Sequence, residues 1–187
     1  LTLPAPFPSA PEWPAFEIAR RWLEDSAASP LAALVKSGEA AEYSCTAHTN
    51  RDYSLYQLTF EMRDAAPRDA AQAEALAAKV RAMAAADPPA ELLRTYKLKA
   101  ELDEIYNLEN IHYLGMLKGQ LMADLPLERL PEVFGDRWVG RIQAVAPVAA
   151  GEQARKLLGW ERPLITILNG TGEAKPARPA MPKMPGR

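Results

Sequence analysis

Ser29-Pro30-Leu31-Ala32-Ala33-Leu34-Val35-Lys36-Ser37-Gly38, followed shortly by Tyr43-Ser44-Cys45-Thr46-Ala47-His48, is the stretch that decides the fold. Ser29 is a good N-cap, Pro30 sits where a missing N–H costs nothing, and Gly38 suits the position after a helix end. The segment therefore reads as a short helix that stops at a glycine and passes directly into a strand. Lys36 and Tyr43 fall on either side of that junction.

Downstream of the junction the apolar period changes to two. Tyr56, Leu58, Phe60 and Met62 point one way, and Leu55, Gln57, Thr59 and Glu61 the other. With Asn50-Arg51-Asp52 as turn material, the two strands predict an antiparallel hairpin. Upstream, Ala15, Phe16, Ile18, Ala19, Trp22 and Leu23 recur at helical spacing behind Pro14, so a helix ends near Asp25. Leu1-Thr2-Leu3 reads as the end of a strand, cut off from helix by the prolines at 4, 6 and 8.

Further helices are expected over 68–86, with Ala73, Leu76, Val80 and Met83 as a stripe, and over 90–122, broken near Asn107. On the latter, Leu102, Ile105 and Leu108 are expected to face the core, with Glu101, Asp103, Glu104 and Glu109 on the wet side. A helical stretch around Val133 to Ile142 and a short helix over 148–158 follow. Leu164 to Leu168 is expected as a closing strand, apolar on both faces. The order predicts an α+β fold, a mostly antiparallel sheet with helices packed on one face. Residues 1–169 are expected to form one domain and 170–187 a tail.

Pro176, Pro179, Pro182 and Pro185 recur every third residue in that tail. A disordered, solvated segment and a polyproline II ligand for an aromatic groove both fit this pattern.

Composition removes several function classes. The 187 residues are 48% hydrophobic and carry a net charge of only -2, so no field is available to hold a nucleic-acid backbone. No apolar run is long enough to span a bilayer, and no charged start with a hydrophobic core marks a signal peptide. The single Cys45 excludes an internal disulfide. A soluble protein is expected, with the periplasm preferred over the cytoplasm, and a chain that opens on Leu1 suggests processing or excision from something longer. His48 and His112 lack partners at zinc-motif spacing, so no metal is expected on this chain. Cys45 and His48, three apart on one strand, point to opposite faces and form no nucleophilic pair.

Four segments together resemble the metal-free second domain of the pitrilysin/insulinase family of zinc peptidases, from about Leu1 to Gly170. They are the opening strand end with Ala15-Phe16-Glu17-Ile18-Ala19, the Ser29 to Ser44 junction, Asp87 to Lys99 with Glu91-Leu92, and Arg141-Ile142-Gln143-Ala144-Val145-Ala146-Pro147 with Ala154 to Leu158 and the closing strand. The resemblance implies a clamshell, in which a zinc-bearing domain or partner subunit faces this one across a chamber that admits peptides. It also implies that an Arg-plus-Tyr pair reaches the active site from the metal-free side.

On this chain the tyrosine corresponds to Tyr43, while Lys36 stands at the arginine position. A phenol can donate to the oxyanion at a scissile carbonyl, an effect of roughly 2.7–4 kcal/mol for single donors elsewhere. Lys lacks the planar bidentate fork of Arg. Tyr43 as a packed strand residue, and Lys36 as a cation at a helix C-terminus, are the competing readings. At the level of the whole protein, the resemblance implies a non-catalytic, substrate-chamber domain of a zinc metalloendopeptidase; the alternative is an inactive structural or assembly subunit of the same fold.

Overall fold

The computed structural model describes residues 1–49, 53–64, 66–83, 87–110 and 125–169, with 112, 114–116, 119 and 123 between the last two. The expected turn at Asn50-Arg51-Asp52 and the Pro-rich residues 170–187 lie outside these.

The elements in order are β1 (Thr2–Pro4), α1 (Trp13–Glu24), α2 (Ala32–Lys36), β2 (Ala40–Thr49), β3 (Ser54–Met62), α3 (Ala70–Ala82), α4 (Ala90–Glu109), a 3-10 helix (Leu127–Glu132), α5 (Gly135–Gln143) and α6 (Pro147–Leu158). The three strands form an antiparallel sheet in the order β1-β3-β2. Its inner face carries Leu3, Tyr56 and Leu58, all buried, while Gln57, Thr59, Glu61, Ser44 and His48 on the other face are exposed. That alternation is what an antiparallel sheet with one covered face requires. The fold is α+β, as the sequence predicts.

The covering layer is centred on α1. Pro14 starts the helix, and Phe16, Ile18, Ala19, Trp22 and Leu23 are buried against the sheet, α4, α5 and α6. Burial of side chains of this size contributes about 1.5–3 kcal/mol each for the larger ones, so α1 is the main organiser of the core. Asp25 ends the helix in an extended conformation.

The junction after α2 forms as its residues dictate. Ser29 Oγ accepts the Leu31 N–H at 3.1 Å. At the other end Gly38 has φ +79°, its N–H donates to Val35 O, and the Glu39 N–H donates to Leu34 O. This is the paired-bond helix ending that a left-handed residue permits, and it turns the chain into β2. On α3, Asp69 and Gln72 cap the first turn reciprocally.

Two expectations are corrected. First, α4 is turned the other way: Leu93, Tyr96, Ala100 and Glu104 are buried, whereas Leu102 and Ile105 are 54% and 44% exposed. Glu104 is not on a wet face. Its Oε1 accepts the Gly135 N–H at 2.8 Å, which satisfies the carboxylate where the start of α5 abuts α4. Of the remaining acids, Asp103 pairs with Arg21 and Glu101 accepts from Gln143.

Second, residues 164–168 do not form a closing strand. Only Leu164 is laddered, through reciprocal bonds with Thr2 of 2.8 and 3.0 Å, and Leu164 and Leu168 are 67% and 92% exposed. Asn169 is tied instead to the main chain of Arg68 by bonds of 2.8 and 3.0 Å, which draws the segment away from the sheet. The expected helix over Val133 to Ile142 starts later than its apolar residues suggest, because Pro131 lies in the 3-10 helix and Gly135, with φ +74°, restarts the chain as α5. Among the described residues no helix is long and apolar enough to cross a membrane.

Candidate functional site

The loop over 25–29, between α1 and α2, is where the two sequence-predicted site residues meet. Asp25 Oδ1 accepts the N–H groups of Ala27 and Ala28 at 2.9 and 3.0 Å, folding the loop on itself, and Trp22 Nε1 donates to Ala28 O at 3.1 Å. Lys36 Nζ, at the end of α2, donates to Ala27 O at 3.0 Å. Tyr43, on β2, donates its phenol proton to Asp25 O at 3.1 Å. The Gly38 turn thus brings both side chains back onto a single loop, each on a main-chain carbonyl.

Two further residues complete this cluster. Tyr96 on α4 donates to Asp25 Oδ2 at 2.8 Å, and Asp25 itself is the hub. Asp25 had a readable signal, since an Asp ahead of small residues after a helix favours a side-chain-to-backbone turn. Tyr96 had none, because its partner is far away in sequence.

Titration behaviour sets the donor and acceptor roles in the cluster. Burial pushes the Tyr43 phenol up from its ordinary value, and the nearby Cys45 thiol and Asp25 carboxylate act in the same direction. Tyr43 therefore remains a protonated O–H donor at neutral pH. Burial also raises Asp25, but the Ala27 N–H, the Tyr96 phenol and the Ala28 N–H outweigh it and hold the carboxylate below its usual range.

Between the inner face of β2 and helices α1 and α4 lies a cleft of about 590 Å³, with none of the 25–29 loop in its lining. Its charged walls are linked into pairs. Arg20 bonds Glu17 and Glu24, each at 2.6 Å, and Arg21 reaches Glu17 at 3.2 Å and Asp103 at 2.8 Å. Burial works against the Arg20 charge, but Glu17 and Glu24 more than offset it and raise its pKa. Cys45 also lines the cleft, and burial pushes its thiol up to about 11. A thiol in that state is protonated and unreactive near neutrality.

Among the described residues no group of three or more His, Cys, Asp or Glu is placed to hold an ion. His48 lies on the outer sheet face, with Nε2 3.3 Å from Gln57 Oε1, on the opposite side from Cys45.

No family model matches this chain, and no curated protein matches it in sequence. Solved structures do match. The inactive peptidase domain of a candidate zinc protease from Bordetella parapertussis superposes with a TM-score of 0.75 at 15% identity, covering 95% of this chain and 92% of that one. The chain has the fold of that inactive peptidase domain. A candidate zinc protease from Bordetella pertussis Tohama I shares the zinc-protease-like fold at a TM-score of 0.67, with 15% identity and 84% of both chains covered. A protease from Helicobacter pylori superposes at 0.62 and 18% identity, over 83% of this chain but only 36% of its own length. The likeness therefore covers nearly all of this chain, and in the Helicobacter protein the same fold is one part of a larger polypeptide.

Proposed function

We propose that this chain is the metal-free, substrate-facing domain of a pitrilysin/insulinase-type zinc endopeptidase, with the zinc held by another domain or a partner subunit. The observation that carries the reading is the likeness to an inactive peptidase domain over nearly the full length of both chains. The four resembling segments supply the family. In this reading residues 1–169 are the second, C-terminal-type domain, 170–187 are a Pro-rich tail, the substrates are peptides, and the protein is soluble, with the periplasm preferred over the cytoplasm.

Lys36 and Tyr43 are the substrate contacts of this proposal. Both already donate to main-chain carbonyls, those of Ala27 and Asp25. A bound peptide offers the same kind of acceptor, so handing either donor from the loop to a substrate exchanges like for like, with little net change in free energy. Lys36 is exposed and carries three N–H donors, of which one is engaged by Ala27 O. Tyr43 has a single proton, so it reaches a substrate oxyanion only by releasing Asp25 O.

That last requirement favours a second reading, in which the chain is an inactive structural subunit that binds proteins without cleaving them. Affinity purification of the natural assembly through a tag on this chain separates the two. The peptidase reading predicts about one zinc per assembly and cleavage of an unstructured peptide that stops on chelation. A zinc-free assembly that binds the peptide and leaves it intact would falsify that reading and support the second.

A further inference from the structure

Helix α4 has two apolar faces, and the fold of this chain uses one of them. Leu93, Tyr96, Ala100 and Glu104 are buried on the side that packs against α1 and α5. Opposite them Leu98, Leu102 and Ile105 are 53%, 54% and 44% exposed, spaced by four and then three residues. At about 100° per residue these three fall on one narrow stripe along the helix. Apolar side chains scattered singly over a surface need no partner, but an aligned row of large ones marks a face that another surface covers.

The ends of the stripe specify that surface. Arg94 lies four residues before Leu98 and Glu109 four residues after Ile105, both exposed and both on the same stripe. Neither side chain makes a hydrogen bond or ion pair among the described residues. From Arg94 to Lys99 the helix carries three cations and no acid, and from Glu101 to Glu109 four acids and no cation. Taken outward from the peptide bond between Glu101 and Leu102, the row is symmetric in position and opposite in charge. Leu98 and Ile105 stand at equal distances from that centre, then Arg94 and Glu109. A row of this kind is complementary to itself after a half-turn.

We infer that the outer face of α4 is an interface between two copies of this chain, packed antiparallel about a two-fold axis that passes beside Leu102. Leu98 of each copy lies against Ile105 of the other, the two Leu102 side chains meet at the axis, and Arg94 of each copy faces Glu109 of the other. Every such pair occurs twice, because the interface is isologous. The stretch from Arg94 to Glu109 spans about 22 Å of helix, and helices that cross at about 20° stay in contact over such a length. Parallel pairing would set Arg94 against Arg94 and Glu109 against Glu109, so charge selects the antiparallel arrangement. A different protein would require none of this symmetry. The stripe lies on the side of α4 opposite Tyr96, so the interface leaves the loop over 25–29 untouched and holds for either reading of the function.

Sedimentation velocity of the natural protein over a dilution series, with native mass spectrometry to count copies of this chain, tests the inference. Two copies are expected in the wild type. Arg94→Glu sets like charges together at both ends and is expected to raise the dissociation constant at least about tenfold, and adding Glu109→Arg to it restores the affinity. Leu102→Asp, at the axis, is expected to leave a single copy. One copy in the wild type overturns the inference, as does a two-copy assembly that Leu102→Asp leaves intact, or a double variant that associates no more tightly than Arg94→Glu alone. A photo-crosslinker at position 102 is expected to join two copies of this chain, and capture of a different protein there overturns the second copy as the occupant.

Discussion

Tyr96 donates its phenol proton to the Asp25 carboxylate across 2.8 Å, joining the middle of the covering layer to the end of the central helix. Asp25 in turn holds the loop on which Lys36 and Tyr43 rest, so a residue with no substrate contact of its own positions both candidate donors. Removing the bond in Tyr96→Phe is expected to cost about 1 kcal/mol. The folded-state pKa of Asp25 lies below its ordinary value, so this contribution is fully present above that value and lost as pH falls through the folded one. Urea denaturation checks both parts: the variant is weaker at neutral pH, and the difference closes in acid.

Gly38 occupies the left-handed region at φ +79°, and a Cβ added there would meet nothing closer than Arg63 Nε at 3.8 Å. Space is thus not the constraint. Gly38→Ala is expected to lose about 1–2 kcal/mol through backbone strain alone, read as a lowered Tm. An unchanged Tm would mean that the junction after α2 relaxes without its glycine.

Gly151 behaves in the opposite way. A Cβ there would overlap Asp87 Oδ1, the far end of a side chain that pairs with Arg155. Gly151→Ala displaces that side chain, giving up an exposed ion pair of about 0.5 kcal/mol while gaining about 0.8–1 kcal/mol of helix propensity. The variant is expected to be slightly more stable than the parent. Adding Asp87→Ala should change nothing further, and a second loss in the double variant would show that Asp87 finds another partner.

The Cys45 thiol, pushed by burial to about 11, is expected to react with iodoacetamide about a hundredfold more slowly at neutral pH than an ordinary thiol. Mass spectrometry of timed quenches measures it. Rapid labelling would show that the cleft beside β2 opens readily to water.

Much of the fold was legible because the deciding signals were local. Pro14 and the stripe through Phe16, Ile18 and Leu23 mark α1, Gly38 ends α2, and the period of two marks β3. The misread elements are those whose fate depends on distant partners. Helix α4 has apolar residues around its whole circumference, so Leu102 and Ile105 compete with Tyr96 and Ala100 for the core. The choice is made by Glu104, which can be buried because Gly135 supplies an N–H. Ile165 and Ile167 have the composition of a strand, but the tether from Asn169 to Arg68 keeps them off β3. At the site, the approach of Lys36 and Tyr43 follows from the Gly38 turn, whereas Tyr96 and Asp25 meet across 71 positions and leave no pattern to read.

Steady-state cleavage of a quenched fluorogenic peptide by the zinc-loaded natural assembly carrying Tyr43→Phe or Lys36→Ala in this chain tests the substrate-contact role of both residues. Tyr43→Phe is expected to lower kcat by about a hundredfold with KM little changed, because the phenol acts on the developing oxyanion, and Lys36→Ala mainly to raise KM. Wild-type kinetics in both variants, with zinc content and Tm preserved, would contradict it.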